Sequence, residues 1–341
     1  MLCQLPLGLL ATCILGAEAR SERIQKRDVH YDCLGGANFP DPSIVEYDGV
    51  NYVFGTVDGA GNNVPMTINS DFNNAGGWSE LIDAFPQNDV PAVGDGGWGQ
   101  PFTSWAPDVN HLTDYDGSFG MYYSAALQSN PDIHCIGLAR SLTVVGPYND
   151  SSSSPMICPE ADGGAIDAAG FLDEDDSRYV VYKIDGPAVN GGGYCNSPDK
   201  TSFNTSLMLQ QTESDGYNKI GSPAVLYNNQ GESDSYNVEA PSIAKGDAGT
   251  YFLFFSSGCT SANSYTVSYV TSTSGIWGPY GNRQILLETG SYGQYGPGGA
   301  DIQIKGGKMV YHSLSVSGDI SYPRVMNTAI VTLSGQTANV S

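Results

Sequence analysis

Positive charge is what this chain has least of. Lysine and arginine number 14 against 36 aspartates and glutamates in 341 residues, for a formal net charge of −22. Residues 1–27 hold four basic and two acidic side chains, so their removal takes the remainder to −24. A surface this acidic repels phosphate backbones and anionic headgroups, which excludes nucleic acid and membrane surfaces as partners. It suits a neutral or cationic substrate. Histidine is scarce too: His30, His111, His134 and His312 stand in four different contexts. No CxxC pair or His/Cys cluster offers a zinc site, and no G-x-S-x-G elbow offers a nucleophilic serine. Long apolar stretches of 3.6-residue period are missing, which argues against a helical fold. Beyond the N-terminus no segment is apolar enough to cross a bilayer.

The one apolar run, LPLGLLATCILGA from Leu5 to Ala17, is too short for a span and leads into small residues at A-x-A spacing. It reads as a signal peptide over residues 1–19. Lys26-Arg27 before Asp28 reads as a dibasic processing site closing a propeptide at 20–27. The expected mature protein is then 28–341, secreted and monomeric. Cys3 and Cys13 leave with the leader. Cys33, Cys135, Cys158, Cys195 and Cys259 remain, an odd set that predicts one or two disulfides and a leftover thiol. Asn149, Asn204 and Asn339 open glycosylation sequons.

What the chain does have is glycine (43) and tyrosine (21), with short aromatic or β-branched runs between Gly, Asn and Asp. That composition is all-β. The runs repeat. "NFPDPSIVEYDGVNYVFGT", "APDVNHLTDYDGSFGMYYSAA", "IDAAGFLDEDDSRYVVYKI", "VEAPSIAKGDAGTYFLFFSSG" and "GGADIQIKGGKMVYHSL" each set an acid beside small residues or proline. Each continues as a strand, a polar turn and an aromatic strand. The acids are Asp41, Asp108, Asp167, Glu239 and Asp301, at gaps of 67, 59, 72 and 62 residues. Five units, each long enough for four strands, predict a five-bladed β-propeller; the alternative is a β-sandwich with fortuitous hairpins. With each acid at the head of an innermost strand, several carboxylates converge on one end of the axis. Converging carboxylates serve either calcium, which wants six to eight oxygens, or glycoside hydrolysis, which wants a base and an acid across a sugar. "DEDDS" at Asp173–Ser177 reads as a solvated hairpin tip.

Together these stretches make the chain, from about Phe39 to Leu333, resemble glycoside hydrolase family 43, secreted five-bladed propellers acting on arabinan and xylan. The resemblance implies an inverting mechanism and three roles. The aspartate of "DPS" is the general base, here Asp41. The aspartate of "IDA" is the pKa modulator, Asp167, which orients the acid and keeps its proton. The glutamate of "EAPS" is the general acid, Glu239. Room for a water between base and sugar implies carboxylates roughly 6.5–9.5 Å apart. Two departures touch the subsites: Gly299 stands where many relatives carry histidine, and "IDAAGF" lacks the commoner proline and serine. Asp108 and Asp301 match no catalytic role and read as structural or rim residues.

For the sugar, Trp105 beside "APDV" is the platform candidate, or else a core tryptophan. Phe39 could wall the pocket, and Trp98 in "GGWGQPF" suits a rim loop. Arg324 in "YPRVMN" matches a family arginine that reaches the channel; Arg283 is the second candidate. His312 in "MVYHS" matches a histidine that in relatives binds a central ion, calcium or another, mostly through waters; otherwise it is a hydrogen-bonded core histidine. The chemistry itself requires no cofactor. A single propeller with Pro40 before the base looks like the exo-acting α-L-arabinofuranosidases. The alternatives are a β-xylosidase, an endo-1,5-α-L-arabinanase, a galactan-active enzyme, and a non-catalytic carbohydrate-binding propeller.

Overall fold

Short apolar runs broken every few residues by Gly or Asp can bury a face only as hairpins stacked on other hairpins. That is what the computed structural model shows for the residues it describes, 29–86, 92–93, 96–190, 193–197 and 199–341. The expected leader and propeptide lie outside them.

Five antiparallel meanders stand around one axis as a five-bladed propeller. The first holds β1 (Ser43–Tyr47), β2 (Val50–Phe54), β3 (Pro65–Asn69) and β4 (Ile82–Asp83). The second holds β5 (Trp105–His111), β6 (Phe119–Ala126) and β7 (His134–Ser141). The third runs β8 (Ala165–Leu172), β9 (Arg178–Ile184), β10 (Leu207–Thr212) and β11 (Lys219–Tyr227). The fourth runs β12 (Val238–Lys245), β13 (Tyr251–Ser257), β14 (Thr266–Ser272) and β15 (Gly281–Leu287). The fifth runs β16 (Tyr295–Ile302), β17 (Gly307–Leu314), β18 (Arg324–Ser334) and β19 (Thr337–Val340). The innermost strands β1, β5, β8, β12 and β16 adjoin one another in that order and close back on β1. Turn chemistry sets the hairpins: Asp48 and Gly49, at φ 50° and 75°, supply the two left-handed residues of a tight turn between β1 and β2.

The second blade has three strands, and irregular chain completes its edge through bridges Arg140–Asn149 and Ile136–Ile157. The Cys135–Cys158 disulfide staples that edge to β7. A second disulfide, Cys195–Cys259, ties a short helix α1 (Gly193–Asn196) to the β13–β14 connection. Cys33 is the leftover thiol, buried. Among the described residues the ring closes through hydrogen bonds, with no disulfide across the seam. His30 exchanges two backbone hydrogen bonds with Thr328 on β18, and the amides of Cys33 and Phe39 donate to the carbonyls of Met326 and Arg324.

Two expectations change here. Asp173 is not a solvated tip: it is buried and accepts from Lys245 Nζ (2.6 Å) and Tyr251 Oη (2.5 Å), joining blades three and four. Phe39 does not wall the pocket. It is fully buried among Ile44, Val53, Phe72 and Met326, with its ring so close to Gly55 that a Cβ there would lie 2.9 Å away. It belongs to the seam between first and last blades because the chain enters that seam, rather than the pocket, before it reaches Asp41. Phe39→Ala should therefore lower the unfolding free energy by about 3–5 kcal/mol, read by urea denaturation. A loss under about 1 kcal/mol would place the ring outside the core.

Candidate active site

On or just before each inner strand, near the same end of the axis, stands a residue in the left-handed region: Asp41 (φ 49°), Ala106 (42°), Asp167 (58°), Ala240 (49°) and Gly299 (56°), with a second, Gly296 (51°), on β16. Pairing with the second strand slips at this point in four blades, between residues 105/108, 166/169, 239/242 and 298/301. These are bulges that re-aim side chains. Pro42, Pro107 and Pro241 follow the left-handed residue in three of the five. Each of the five amides has a side-chain acceptor. Asp41 N donates to His312 Nδ1 (3.0 Å), Ala106 N to Thr56 Oγ1 (2.8 Å), Asp167 N to Ser124 Oγ (3.2 Å) and Gly299 N to Ser256 Oγ (2.9 Å). In these four the acceptor comes from the preceding blade, at or just beyond its second strand. In the remaining blade the equivalent place is Lys183, facing Ile166 across the strands as Ser124 faces Trp105, Ser256 faces Glu239 and His312 faces Gly298. An ammonium accepts nothing. The Ala240 amide turns instead to Asp167 Oδ2 (2.9 Å).

This frame corrects the alignment of the acids. They do not share one position. Asp41 and Asp167 are the left-handed residues, Glu239 precedes one, and Asp108 and Asp301 follow two residues after one. Asp41, Asp167 and Glu239 line a pocket of about 290 Å³, with Trp105, Lys183, Asp185, Tyr194, Thr260, Tyr265 and Arg324. Asp108 and Asp301 lie further along the axis, around a cavity of about 40 Å³ whose wall also includes Asp41 and Asp167.

The pocket holds two electrostatic halves. Burial pushes the Asp41 carboxyl up, but the Arg324 guanidinium (Nη1–Oδ1 3.4 Å) and the Thr56 hydroxyl (Oγ1–Oδ2 2.8 Å) outweigh it and hold Asp41 below the usual carboxylate range. Opposite, Lys183 Nζ lies 3.0 Å from Glu239 Oε2 and 3.6 Å from Asp185 Oδ1, and Asn237 Nδ2 donates to the same Glu239 oxygen at 2.8 Å. Burial disfavours the Lys183 charge, yet Glu239, Asp185 and Asp167 more than offset this and raise its pKa. Asp167 goes the other way: burial first, then the Glu239 charge, push it to about 7 despite Lys183 and the Ala240 amide.

Trp105 meets its expectation as a platform candidate in position: it lines the pocket, is 36% exposed and stacks on His134 with ring centroids 3.8 Å apart. Arg324 lies on the pocket wall beside Asp41. Trp98 does not reach the rim; it is buried, stacks on Tyr123 (5.9 Å) and donates from Nε1 to Ser152 Oγ (3.3 Å). Arg283 is elsewhere, on β15 at the outer edge of its blade, paired with buried Asp234 at 2.5 Å. His312 is fully buried. Its Nδ1 accepts the Asp41 amide proton, so Nε2 carries the hydrogen and faces Thr260 Oγ1 at 3.2 Å. Burial drives its pKa down to about 3, so it is neutral. Neither ring nitrogen is left for an ion, and the arrangement does not fit metal binding through His312. Gly299 answers the missing histidine: a Cβ there would meet His312 Nδ1 at 2.6 Å. Thr56, Lys183 and Thr260 were missed from sequence. Only Lys183 left a signal, as a charge inside the apolar run "YVVYKI" of β9.

The matching family model, described as "Glycosyl hydrolases family 43", covers residues 36–332. The chain is 27% identical over 314 residues to the probable arabinan endo-1,5-alpha-L-arabinosidase C of Aspergillus flavus, covering 85% of this chain and 86% of that one. It is 29% identical over 162 residues to the extracellular endo-alpha-(1->5)-L-arabinanase 2 of Bacillus subtilis, which is 42% of this chain but only 32% of that enzyme's length. A solved structure of a thermostable family-43 glycoside hydrolase superposes with a TM-score of 0.70 at 21% identity, covering 89% and 93% of the two chains.

Three acids of the axis now set a pH signature. Burial raises Asp108 to about 6 and Asp301 to about 8, the latter also through the Asp108 charge; Asp167 stands at about 7. A carboxyl raised on folding contributes stability that is fully present below its ordinary value of about 4 and lost as pH climbs through its folded value. Melting temperature should therefore fall between pH 5 and pH 8.5. Asp301→Asn, which keeps acceptors for the Ile44 amide and a partner for Ser242, should flatten that fall. A wild-type profile that is level across this window would contradict the assignment.

Proposed function

The chain belongs to glycosyl hydrolases family 43, and from that membership we propose a secreted, inverting α-L-arabinofuranosidase that removes terminal arabinose from cell-wall polysaccharide. The observation that carries the reading is the division of one pocket into Asp41, held low by Arg324 and Thr56, on one side and Glu239 with Asp167, which burial and the Glu239 charge raise to about 7, on the other. Inverting hydrolysis needs that asymmetry. Asp41, kept ionised by Arg324 and Thr56, takes a proton from the water that attacks the anomeric carbon. Glu239 gives a proton to the departing oxygen and ends as a carboxylate facing the Lys183 ammonium. Asp167, raised to about 7 by burial and the Glu239 charge, is the modulator on the acid's side of the pocket. Trp105 offers the sugar a flat face, backed by His134.

Arabinose is favoured by the names of two relatives, both arabinan-acting. Exo action is favoured by Arg324 and Thr260, which bond each other (3.1 Å) and wall the pocket beside the base. The same relatives are named as endo-acting, and that is the second reading. Debranched arabinan separates the two: exo action releases arabinose alone from the first minutes, endo action a ladder of oligosaccharides. A panel of nitrophenyl arabinofuranoside and xyloside ranks the sugars, and no turnover on any substrate would leave a binding module. Two disulfides suit an oxidising compartment and support secretion. Asn149, Asn204 and Asn339 are exposed, as glycosylation requires.

Asp41→Asn keeps the shape and removes the proton acceptor. Turnover should drop by about 10²–10⁴-fold or more with the melting transition retained; activity within about threefold of wild type would remove Asp41 from the chemistry.

The carboxyl pair gives a signed test through the alkaline limb of the pH–rate profile, which reports the group that must stay protonated. Asp167→Asn removes a negative charge, so the proton leaves at lower pH and the limb moves down. Lys183→Met removes a positive charge, so the proton stays longer and the limb moves up. Shifts in the same direction for both variants would break the proposed network.

A further inference from the structure

Thr260 stands in the connection between β13 and β14, on the pocket wall beside Asp41. Its hydroxyl oxygen meets two donors. Arg324 Nη1 lies 3.1 Å away and His312 Nε2 lies 3.2 Å away. Both donors also hold Asp41. The same Arg324 nitrogen faces Oδ1 at 3.4 Å, and His312 Nδ1 accepts the Asp41 amide at 3.0 Å. We propose that Thr260 is a positioning residue for the general base, its one oxygen fixing the guanidinium and the imidazole that together set where the Asp41 carboxylate points. This rests on the glycoside hydrolase reading above and deepens it.

Hydrogen-bonding capacity gives the first argument. A threonine oxygen accepts two hydrogen bonds, and a guanidinium can only donate. His312 takes the Asp41 amide proton at Nδ1, so its Nε2–H must donate as well. Thr260 thus meets one donor from β17 and one from β18. The His312 ring is fully buried, and a buried N–H without an acceptor is costly.

Freedom of movement gives the second. His312 has little. Tyr265 stacks on its ring with centroids 5.7 Å apart, and Gly299 lies so near Nδ1 that a Cβ there would be 2.6 Å away. Arg324 has more, being long and partly exposed at the pocket. Its contact with Asp41, at 3.4 Å, is too long to fix a direction by itself. With one Nη1 hydrogen held on Thr260, the other is left for the carboxylate.

The anchoring of Thr260 gives the third. Cys259 beside it is bonded to Cys195 on α1. Gly258 donates to the Asn237 carbonyl (3.2 Å) and accepts from Asn237 Nδ2 (2.8 Å), which also donates to Glu239 Oε2 (2.8 Å). The same few residues therefore reach the base through Thr260 and the acid through Asn237.

Thr260→Val keeps the shape and removes the oxygen; Thr260→Ser keeps the oxygen. The assay is the nitrophenyl glycoside that the wild-type protein turns over. Thr260→Val should lower kcat about ten- to a hundredfold, the scale of a slightly misplaced group. KM should stay within about twofold, because a base acts only in the transition state. Thr260→Ser should keep kcat within about threefold of wild type. A folded valine variant with kcat within about threefold of wild type overturns the role, and so does a serine variant that loses as much as the valine one. A raised KM at unchanged kcat overturns it too, and makes Thr260 a substrate contact. If Thr260→Val does not fold, His312 decides. Nitrogen NMR spectra of wild-type protein labelled at histidine, with His312 identified by its contacts to the Tyr265 ring, should show hydrogen on Nε2 and none on Nδ1. Hydrogen on Nδ1 would break the network. Wild-type protein that turns over nothing on the panel overturns the hydrolase reading instead, an outcome that the His312 spectrum keeps separate.

Discussion

The whole site hangs on five backbone amides. At these five amides the chain turns through a left-handed residue, and four of the five are not glycine. That conformation costs about 1–2 kcal/mol for an L-residue, while a buried hydrogen bond returns about 0.5–1.5 kcal/mol net. Neither figure alone would hold the bend, but leaving the amide unpaired would add to the cost. So every blade must present an acceptor at the right height, and four are met from the blade before. The carboxylates of Asp41 and Asp167 are aimed by backbone, with their own rotamers a second consideration. Where the acceptor position holds lysine instead, Asp167 is drawn in as substitute, and the ammonium is freed to face Glu239.

Charge is then used sparingly. In a chain with 14 lysines and arginines, one guanidinium and one ammonium stand at opposite sides of one pocket. They do not act alike. Arg324 is partly exposed and shares itself between Asp41 and Thr260. Lys183 is buried and surrounded by three acids. A buried cation with fewer carboxylates near it would lose its proton, so the excess of acid in this pocket is also what keeps Lys183 charged.

How much of this could be read from the sequence follows from which interactions are local. The blades were legible because strand, turn and strand are neighbours in the chain, and Asp-Gly turns punctuate them. The acid trio was legible because each acid sits in a recognisable run of residues. Its register was not: the five openings look alike, yet the acids occupy three positions of the repeat, and only the φ angles reveal which. Phe39 and Trp98 look like pocket aromatics because one adjoins the Asp41 motif and the other sits in a glycine-rich loop; tertiary packing took both into the core. His312 reads as an ion ligand until its partner is known, and that partner is 271 residues away. Lys183 was overlooked because nothing in "YVVYKI" says that Glu239 will come to lie against it.

The seam between first and last blades has a consequence for the order of events in the cell. Residues 30–39 dock on β18, and Asp41 follows them at once. Its amide waits for His312, and its carboxylate for Arg324, 283 positions later. Synthesis runs from the N-terminus, so Asp41 leaves the ribosome early and His312 and Arg324 last. A nascent chain with four finished blades holds Asp167, Lys183 and Glu239 but leaves the Asp41 amide and carboxylate without these two partners. The pocket is therefore completed in one step, when the final blade meets the first.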